Sequence, residues 1–280
     1  MPVSYFVSKY NTAHLTKSKY GYFAFENNVA AGFTGMIPYA LEYQGMKELA
    51  VQSVDSMTHP LHMKRGIFKT LMDHVYEDLL NENISFICGF PNDASIKSAT
   101  KKLNWIPTPN INGYCIPIAN RYLSFFKRKA NQFFYQQQML ESFFMKELTD
   151  KFPLHSLRQN DYVTTVRDIQ YFNYKKFGGS IRVNIYGKNI WLKLNGSLFI
   201  GDMDEASPLE LKQVMEVLVQ RAKSLGATNI YFQTHGGSLL DHSFASLYPN
   251  VGAWKILYHN LNSKFPLSKI GITLGDMDSF

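Results

Sequence analysis

The sequence predicts an α+β protein with α/β-type layers, in which helices flank mixed, mostly antiparallel sheets. Within roughly the first hundred residues the hydrophobic patterns give three strands, a helix, a strand, a helix and a strand. Val163–Leu261 repeats much of this pattern. The chain has 280 residues, which is more than one core usually serves. We therefore expect two domains of similar architecture.

The first half begins with strands. Tyr20–Glu26 and Val29–Tyr43 are rich in aromatic and β-branched residues around an Asn-Asn turn signal, which predicts a hairpin. Met46–Asp55 continues as a third strand. From Arg65 apolar side chains recur at helical spacing, which predicts a helix that ends near Asn81.

The later elements follow the same reasoning. Ile84–Gly89 predicts a buried strand, a capped helix then runs to Leu103, and Trp105–Ile118 returns as extended structure. In the second half we predict strands at Val163–Phe177, Ser180–Tyr186, Ile190–Asp202, Asn229–Thr234 and Gly252–Leu261, with a helix over Pro208–Leu225. The expected domains are residues 1–120, a helical connector at 121–160 and residues 161–280.

Composition narrows the class of protein. A net charge of +7 suits an anionic ligand. Cys88 and Cys115 lie in apolar runs, so buried thiols in a reducing compartment are expected rather than a disulfide or metal pair. The N-terminus lacks a signal-peptide pattern, and no apolar run reaches membrane-spanning length. We expect a cytoplasmic protein without a transmembrane segment or a metal.

A basic loop follows the third strand. Glu48–Pro60 reads as a strand, and a short loop then leads to the helix that follows Gly66. Such a turn aims backbone N–H groups and the positive end of a helix dipole at one point. Lys64, Arg65 and Lys69 add charge there, although they also suit a solvated basic surface. We predict that this loop binds a phosphate.

The loop resembles that of the GNAT superfamily of acyl-CoA-dependent N-acyltransferases. In that family a strand ends near His-Pro, and the coenzyme A pyrophosphate sits on a loop of Gln or Arg, two residues, Gly, one residue, then Gly or Ala. Here the pattern falls on Met63–Phe68, where Gly66 matches and both flanking positions depart. The resemblance implies acetyl-CoA or another acyl-CoA as co-substrate, bound by Lys64, Arg65, Gly66, Ile67, Phe68 and Lys69.

A second motif extends the resemblance. Gly89–Asn92 and Lys101–Trp105 are similar to the strand end, helix start and helix end of the family's later motif. The resemblance implies that Asn92 contacts the pantetheine arm of the cofactor. The family's tyrosine, which protonates the leaving thiolate, falls on or near Thr100. That acid is missing from this sequence.

Acyl transfer also needs oxyanion donors and removal of a proton from the amine. By the resemblance, the donor is a backbone N–H around Met57 and Thr58. The family's carboxylate aligns with Gln52, which cannot accept a proton. Asp55 and His59 are the nearest candidate bases, although either could serve only the local loop structure.

Two other segments have simpler interpretations. Arg121–Leu148 is aromatic and basic; it suits a membrane or RNA surface, but we favour a connecting helix. The second half has an acidic Gly201–Pro208 where a pyrophosphate would sit, so we expect no cofactor there. His235–Ser238 and the pair Asp241-His242 are interpreted as a turn and helix start.

The sequence therefore predicts a tandem GNAT-like protein whose second domain is degenerate. The reaction expected from the resemblance moves an acetyl or similar acyl group from acyl-CoA to a small-molecule amine, such as an amino sugar, in a ternary complex. No DNA partner is expected. Two alternatives stay open: an aminoacyl-tRNA-dependent transferase of tandem GNAT type, and a non-enzymatic GNAT-fold binding protein.

Overall fold

The computed structural model describes residues 3–12, 15, 20–118, 133–151, 155–157 and 161–280. The helices are α1 (Val3–Lys9), α2 (Ile67–Asn81), α3 (Asp93–Lys102), α4 (Phe133–Phe143), α5 (Ile169–Lys175), α6 (Pro208–Leu225) and α7 (Leu239–Ala245). The strands are β1 (Tyr20–Glu26), β2 (Val29–Tyr43), β3 (Met46–Thr58), β4 (Phe86–Gly89), β5 (Ile106–Pro107), β6 (Ile111–Pro117), β7 (Val163–Thr165), β8 (Ile181–Ile185), β9 (Lys188–Asn195), β10 (Ser197–Met203), β11 (Asn229–His235), β12 (Leu257–Asn260) and β13 (Ile270–Gly271).

The chain divides into two compact units that interleave in sequence. The N-terminal unit comprises Phe6–Pro109 and Lys255–Ile270; the C-terminal unit comprises Met1–Tyr5, Asn110–Trp254 and Gly271–Phe280. The expected domains, residues 1–120, 121–160 and 161–280, are contiguous and stay a prediction. Within the predicted connector α4 is helical, while residues 121–132 lie outside the described residues.

In the sheet of the N-terminal unit β1 pairs with β2, and β2, β3, β4, β12 and β5 lie side by side in that order. The first three strands are antiparallel, β4 runs parallel to β3, and β12 runs antiparallel to β4 and β5. The apolar face of α2 packs on one side of this sheet with α3 residues and Trp105. This core contains Met36, Val51, Met72, Val75, Leu79, Ile87, Ala99, Leu103 and Leu257.

Strands β3 and β4 pair along only part of their length. Their parallel register runs from Ala50 opposite Phe86 to Ser53 opposite Gly89, but β3 continues to Thr58. A bulge against β2 lies in this extension, where Asp55 has a φ of 50°. Bulges of this kind redirect side chains next to functional sites. The two strand ends and the start of α2 therefore belong to one region.

The C-terminal unit contains a second sheet, with strand order β6, β11, β10, β9, β8. Strands β10 and β11 are parallel, and the other neighbours are antiparallel. The apolar face of α6 is buried in the core of this unit. That face comprises Leu211, Val214, Met215, Leu218, Ala222 and Leu225.

Three predicted elements differ in the structure. The single strand predicted at Ile190–Asp202 is wrong, because Gly196, with a φ of 67°, turns the chain between β9 and β10. The strand predicted at Val163–Phe177 ends early, because Asp168 caps α5 by accepting a hydrogen bond from Tyr171 N at 2.8 Å. The strand predicted at Gly252–Leu261 forms only over Leu257–Asn260, as β12.

Helix α1 occupies a stretch for which the sequence analysis predicted no element. It covers seven residues and ends at Lys9, which lies in the N-terminal unit. None of the helices in the described ranges has the length and apolar character needed to cross a membrane.

Candidate active site

The loop before α2 has the geometry of an anion site. Gly66 is the N-cap residue, with φ 81° and ψ 0°, and no side chain caps the helix. The first N–H groups of an α-helix have no partner within the helix, and here they sit at the positive end of a helix of 15 residues. A Cβ atom on Gly66 would meet nothing within 4 Å. The requirement for glycine is therefore conformational.

The basic side chains of this loop differ in their partners. Arg65 donates to both carboxylate oxygens of Glu26, at 2.5 and 2.7 Å, and His62 Nδ1 lies 2.8 Å from the same carboxylate. The hydrogen bond from Arg65 lowers the pKa of Glu26. Lys69 pairs with Asp73 at 2.6 Å. The side chain of Lys64 is exposed and forms no ion pair with the described residues.

The two positions that depart from the family pattern have different surroundings. Met63 is 56% exposed and caps the C-terminal end of a single 3₁₀ turn, Pro60–His62. Phe68 is partly buried and packs against the core of the N-terminal unit. The bulk of Phe68 therefore contributes to the core, beneath the first turn of α2.

Asp55 is held by residues from the N-terminal segment. Lys9 Nζ lies 2.9 and 2.8 Å from its two carboxylate oxygens, and Tyr10 Oη donates to it at 3.0 Å. The Lys9 side chain is 3% exposed, while that of Asp55 is 24% exposed. Tyr10 lies directly over Gly35, where any Cβ would collide with its hydroxyl group. A base role for Asp55 would have to operate within this ion pair.

The other chemical candidates lie around the end of β3. His59 is exposed and caps the 3₁₀ turn, since its Nδ1 accepts from Leu61 N at 3.3 Å. Met57 and Thr58 pair with Phe33 and Gly32 of β2. Gln52 is 4% exposed, and it lies in register with Cys88 of β4.

Asn92 and Thr100 make local helix contacts on α3. The Asn92 side-chain oxygen accepts from Ser95 N at 2.9 Å and so caps the helix. Its amide nitrogen is the part of the side chain suited to a ligand acceptor. Thr100 Oγ1 donates to Ile96 O at 2.8 Å, so this hydroxyl group is engaged with the helix backbone.

Sequence reasoning missed three residues that organise this region. Lys9 and Tyr10 hold Asp55, and Glu26 holds Arg65. No local pattern signals these contacts, because the partners lie 39 to 46 positions apart in the chain. The pairing of β1, β2 and β3 brings Glu26 toward the loop, so this contact depends on strand register.

The N-terminus of α6 in the C-terminal unit is capped by side chains of its own helix start. Ser207 caps α6 through a capping box with Glu210, whose side chain accepts from Ser207 N at 2.8 Å. The hydrogen bonds that the Glu210 carboxylate accepts from Ser207 lower its pKa to about 2, with a further contribution from Lys188. A carboxylate therefore already occupies the position that an anion would take at this helix.

The C-terminal unit also buries a charged cluster near the bulge of β10. Arg167 donates to Asp202 at 2.5 Å and to Asp276 at 2.9 Å, and all three side chains are at most 5% exposed. Burial would raise the pKa of Asp276, but the charge of Arg167 outweighs this effect and holds it well below its ordinary value. The cluster is a closed ion network in which each charge depends on the others.

The predicted turn and helix start of the C-terminal unit are tied into its core. Ser238 caps α7. Asp241 accepts from Tyr114 Oη at 2.6 Å, from Asn112 Nδ2 at 2.9 Å and from Gly237 N at 2.9 Å. Among the residues the structure describes, no three metal-ligating side chains come together.

His235 gives the C-terminal unit a pH dependence. Burial, followed by the nearby His155, lowers the pKa of His235 to about 4 from an ordinary 6.5. Between these values the unfolded chain binds a proton that the folded chain does not, so stability falls as the pH falls from about 6.5 to about 4, by about 3 kcal/mol. We expect His235→Asn to flatten this part of a urea unfolding profile measured against pH. An unchanged slope would contradict the assignment.

Comparison with known proteins identifies the N-terminal fold. Residues 8–105 match the family model described as an acetyltransferase (GNAT) domain. This stretch of the chain is therefore a GNAT acetyltransferase domain, and the predicted family is confirmed. No curated protein matches the chain.

Solved structures show the same fold over most of the chain. A conserved protein of unknown function from Enterococcus faecalis, titled a probable N-acyltransferase, aligns with a TM-score of 0.55 and 9% identity over 92% of this chain and 65% of its own. GCN5-related N-acetyltransferases from Anabaena variabilis and Kribbella flavida give TM-scores of 0.52 and 0.50, at 12% and 10% identity. Each alignment covers 86% of this chain. The alignments cover 63% of the Anabaena variabilis protein and 60% of the Kribbella flavida protein.

These identities establish the fold alone. The predicted α+β class is confirmed, because the neighbours are GNAT folds and the described sheets are mixed and flanked by helices. The chain spans less than two thirds of the length of these three structures. The tandem arrangement of two GNAT-like domains stays a prediction.

Proposed function

We propose that this protein moves an acetyl or similar acyl group from acyl-CoA to a small-molecule amine. The observation that carries the proposal is the uncapped start of α2 at Gly66, beside the point where β3 continues past its last pair with β4. The amide groups of this helix start would hold the pyrophosphate. The open edge of β3 would accept the pantetheine arm and the thioester.

In the proposed reaction the amine nitrogen attacks the thioester carbonyl carbon within a ternary complex. The new C–N bond forms, the C–S bond breaks, and the coenzyme A thiolate leaves with a proton from solvent. Backbone N–H groups near Met57 and Thr58 would stabilise the oxyanion. Asp55 or His59, directly or through water, would take the proton from the ammonium group.

The proposal extends to partners and location. The acceptor class is a small amine, with an amino sugar as one member, and no metal takes part in the proposed steps. Cys88 and Cys115 are free thiols, which supports a reducing cytoplasmic location. Residues 121–132 of the aromatic and basic segment that favours the tRNA-dependent alternative lie outside the described residues.

A non-enzymatic binding protein is the second candidate. It is favoured by the Lys9 contacts to both oxygens of Asp55 and by the engagement of Thr100 with its own helix. Asp55 is the carboxylate nearest to Gln52, where the family has its base, and Thr100 falls on or near the position of the family's tyrosine. This candidate predicts that acyl-CoA binds without turnover, or that acyl-CoA does not bind at all.

One pair of measurements separates the candidates. A ligand at one hundred times its Kd stabilises a protein by about 2.7 kcal/mol, so acetyl-CoA should raise the thermal unfolding midpoint. Release of free thiol from acetyl-CoA with a panel of amines would then establish acyltransfer. A thermal shift without thiol release above the protein-free rate supports the binding protein. The absence of any shift contradicts the acyl-CoA-dependent transferase and favours a binding protein that does not take acyl-CoA, or the tRNA-dependent alternative.

The contact between Glu26 and Arg65 predicts a gain in binding. We expect Glu26→Gln to release Arg65 toward the anion site and to lower the Kd for acetyl-CoA about two- to fivefold, the scale of an exposed ion pair. Calorimetry at low salt measures the change. Glu77→Gln, with the same change of charge about 15 Å further along α2, should leave the Kd unaltered. Weaker binding in Glu26→Gln would show that Glu26 positions Arg65 for the ligand.

A further inference from the structure

The C-terminal unit contains a cavity separate from the site described above. Its volume is about 320 Å³, it is open to solvent, and α4, α5, β8 and β9 contribute to its lining. Small-molecule sites occupy about 300–1,000 Å³, so this cavity is of a size to hold a small metabolite. Two largely buried aromatic side chains, Phe172 and Trp191, form its apolar wall.

Hydrogen-bond donors surround this aromatic wall. The Arg182 guanidinium stacks over the ring of Phe172, 5.3 Å from its centroid, and its side chain is 11% exposed. Ser180 Oγ accepts the indole N–H of Trp191 at 2.8 Å, so its own O–H is left to donate. Lys176 adds an exposed ammonium group at the rim. A guanidinium, a hydroxyl and an ammonium group therefore line one cavity.

The Arg182 guanidinium also contacts Asp150. It donates to the backbone oxygen of Asp150 at 3.1 Å, while the Asp150 carboxylate stands 3.7 Å away and is fully exposed. Burial lowers the pKa of Arg182 more than Asp150 raises it. A ligand carboxylate at this point would form a charge-assisted contact with an Arg fork that Phe172 already orients.

The lining also contains acidic side chains. Glu141 lies on α4, where its carboxylate accepts from Gln137 at 2.9 Å, and both residues line the cavity with Asp150. The lining thus combines two cations with two carboxylates around an aromatic wall. That combination matches a molecule that carries a carboxylate, an ammonium group and an apolar part.

We propose that this cavity binds a free amino acid, with its carboxylate on Arg182 and Ser180 and its ammonium group toward Glu141. The site shares no residue with the proposed acyl-CoA site, and the proposal does not depend on it. It would give the C-terminal unit a ligand of its own.

The test uses the full chain and the common L-amino acids one at a time at millimolar concentration. At least one should raise the thermal unfolding midpoint, and calorimetry should then give its Kd. The amide of that amino acid lacks the carboxylate and should bind at least about tenfold more weakly, as should the free acid to Arg182→Gln.

Matched variants keep the test decisive. Arg221→Gln removes an arginine that pairs with Glu147 at 2.7 Å and does not line the cavity, so amino acid binding should persist. Lys176→Gln changes an exposed residue and should weaken binding without affecting the fold. The proposal is overturned if no L-amino acid shifts the wild-type midpoint, if the amide binds as well as the acid, or if Arg221→Gln loses binding as Arg182→Gln does.

Discussion

Replacing Gly66 with valine is expected to remove acetyl-CoA binding while leaving the fold in place. Gly66 adopts a φ of 81°, and left-handed backbone costs L-residues about 1–2 kcal/mol. Valine would shift the backbone out of this region and turn the first N–H groups of α2 away from the pyrophosphate. If the Kd rises hundredfold, the stabilisation at a fixed acetyl-CoA concentration falls from about 2.7 to about 0.4 kcal/mol. Thermal unfolding with and without acetyl-CoA measures this loss.

Gly45 provides the matched control for this experiment. It lies in the turn between β2 and β3 with a φ of 79°, and a Cβ there also meets nothing within 4 Å. Gly45→Val should therefore carry the same backbone cost without touching the loop, and its response to acetyl-CoA should match the wild type. Unchanged binding in Gly66→Val would move the cofactor to another site. Equal loss in both variants would mean that the effect is not local.

The sequence predicted elements whose signals are local. The hairpin of β1 and β2 follows from aromatic and β-branched residues around an Asn-Asn turn signal, and α2 follows from the helical spacing of apolar residues after Arg65. Both predictions depend on residues that lie close together in the sequence. The split of the predicted strand Ile190–Asp202 was also locally signalled, by Asn195 followed by Gly196, which is a strong turn pair. That error came from weighing the apolar run above the turn residues.

The contacts between segments that are distant in the sequence could not be predicted from the sequence pattern. Nothing near Leu257–Asn260 indicates that this strand pairs with β4, more than 150 positions earlier. Likewise, Asp55 is a plausible base in the sequence, whereas the structure shows that Lys9 and Tyr10 hold its carboxylate. Such contacts depend on register and chain path, which composition and periodicity do not specify. The roles of the candidate site residues therefore stay a matter for experiment.

The buried cluster in the C-terminal unit predicts the largest loss of stability. Arg167 supplies the charge facing both Asp202 and Asp276, whose side chains are 0% and 5% exposed. Arg167→Met would leave two carboxylates buried without this cation, and breaking a buried pair in this way costs about 3–5 kcal/mol. Urea unfolding at neutral pH measures the change. Arg221→Met, which breaks a partly exposed pair with Glu147, is expected to cost about 1 kcal/mol or less.

A second variant tests the reason for that loss. If uncompensated charge is the cause, adding Asp202→Asn and Asp276→Asn to Arg167→Met should recover part of the lost stability, because neutral amides need no cation. The triple variant would still lack the hydrogen bonds that Arg167 gives to Thr273 and both carboxylates, so recovery should be incomplete. A triple variant less stable than Arg167→Met would show that hydrogen-bond geometry, rather than charge, holds this network together. Such a result would assign the two aspartates a structural role that is independent of Arg167.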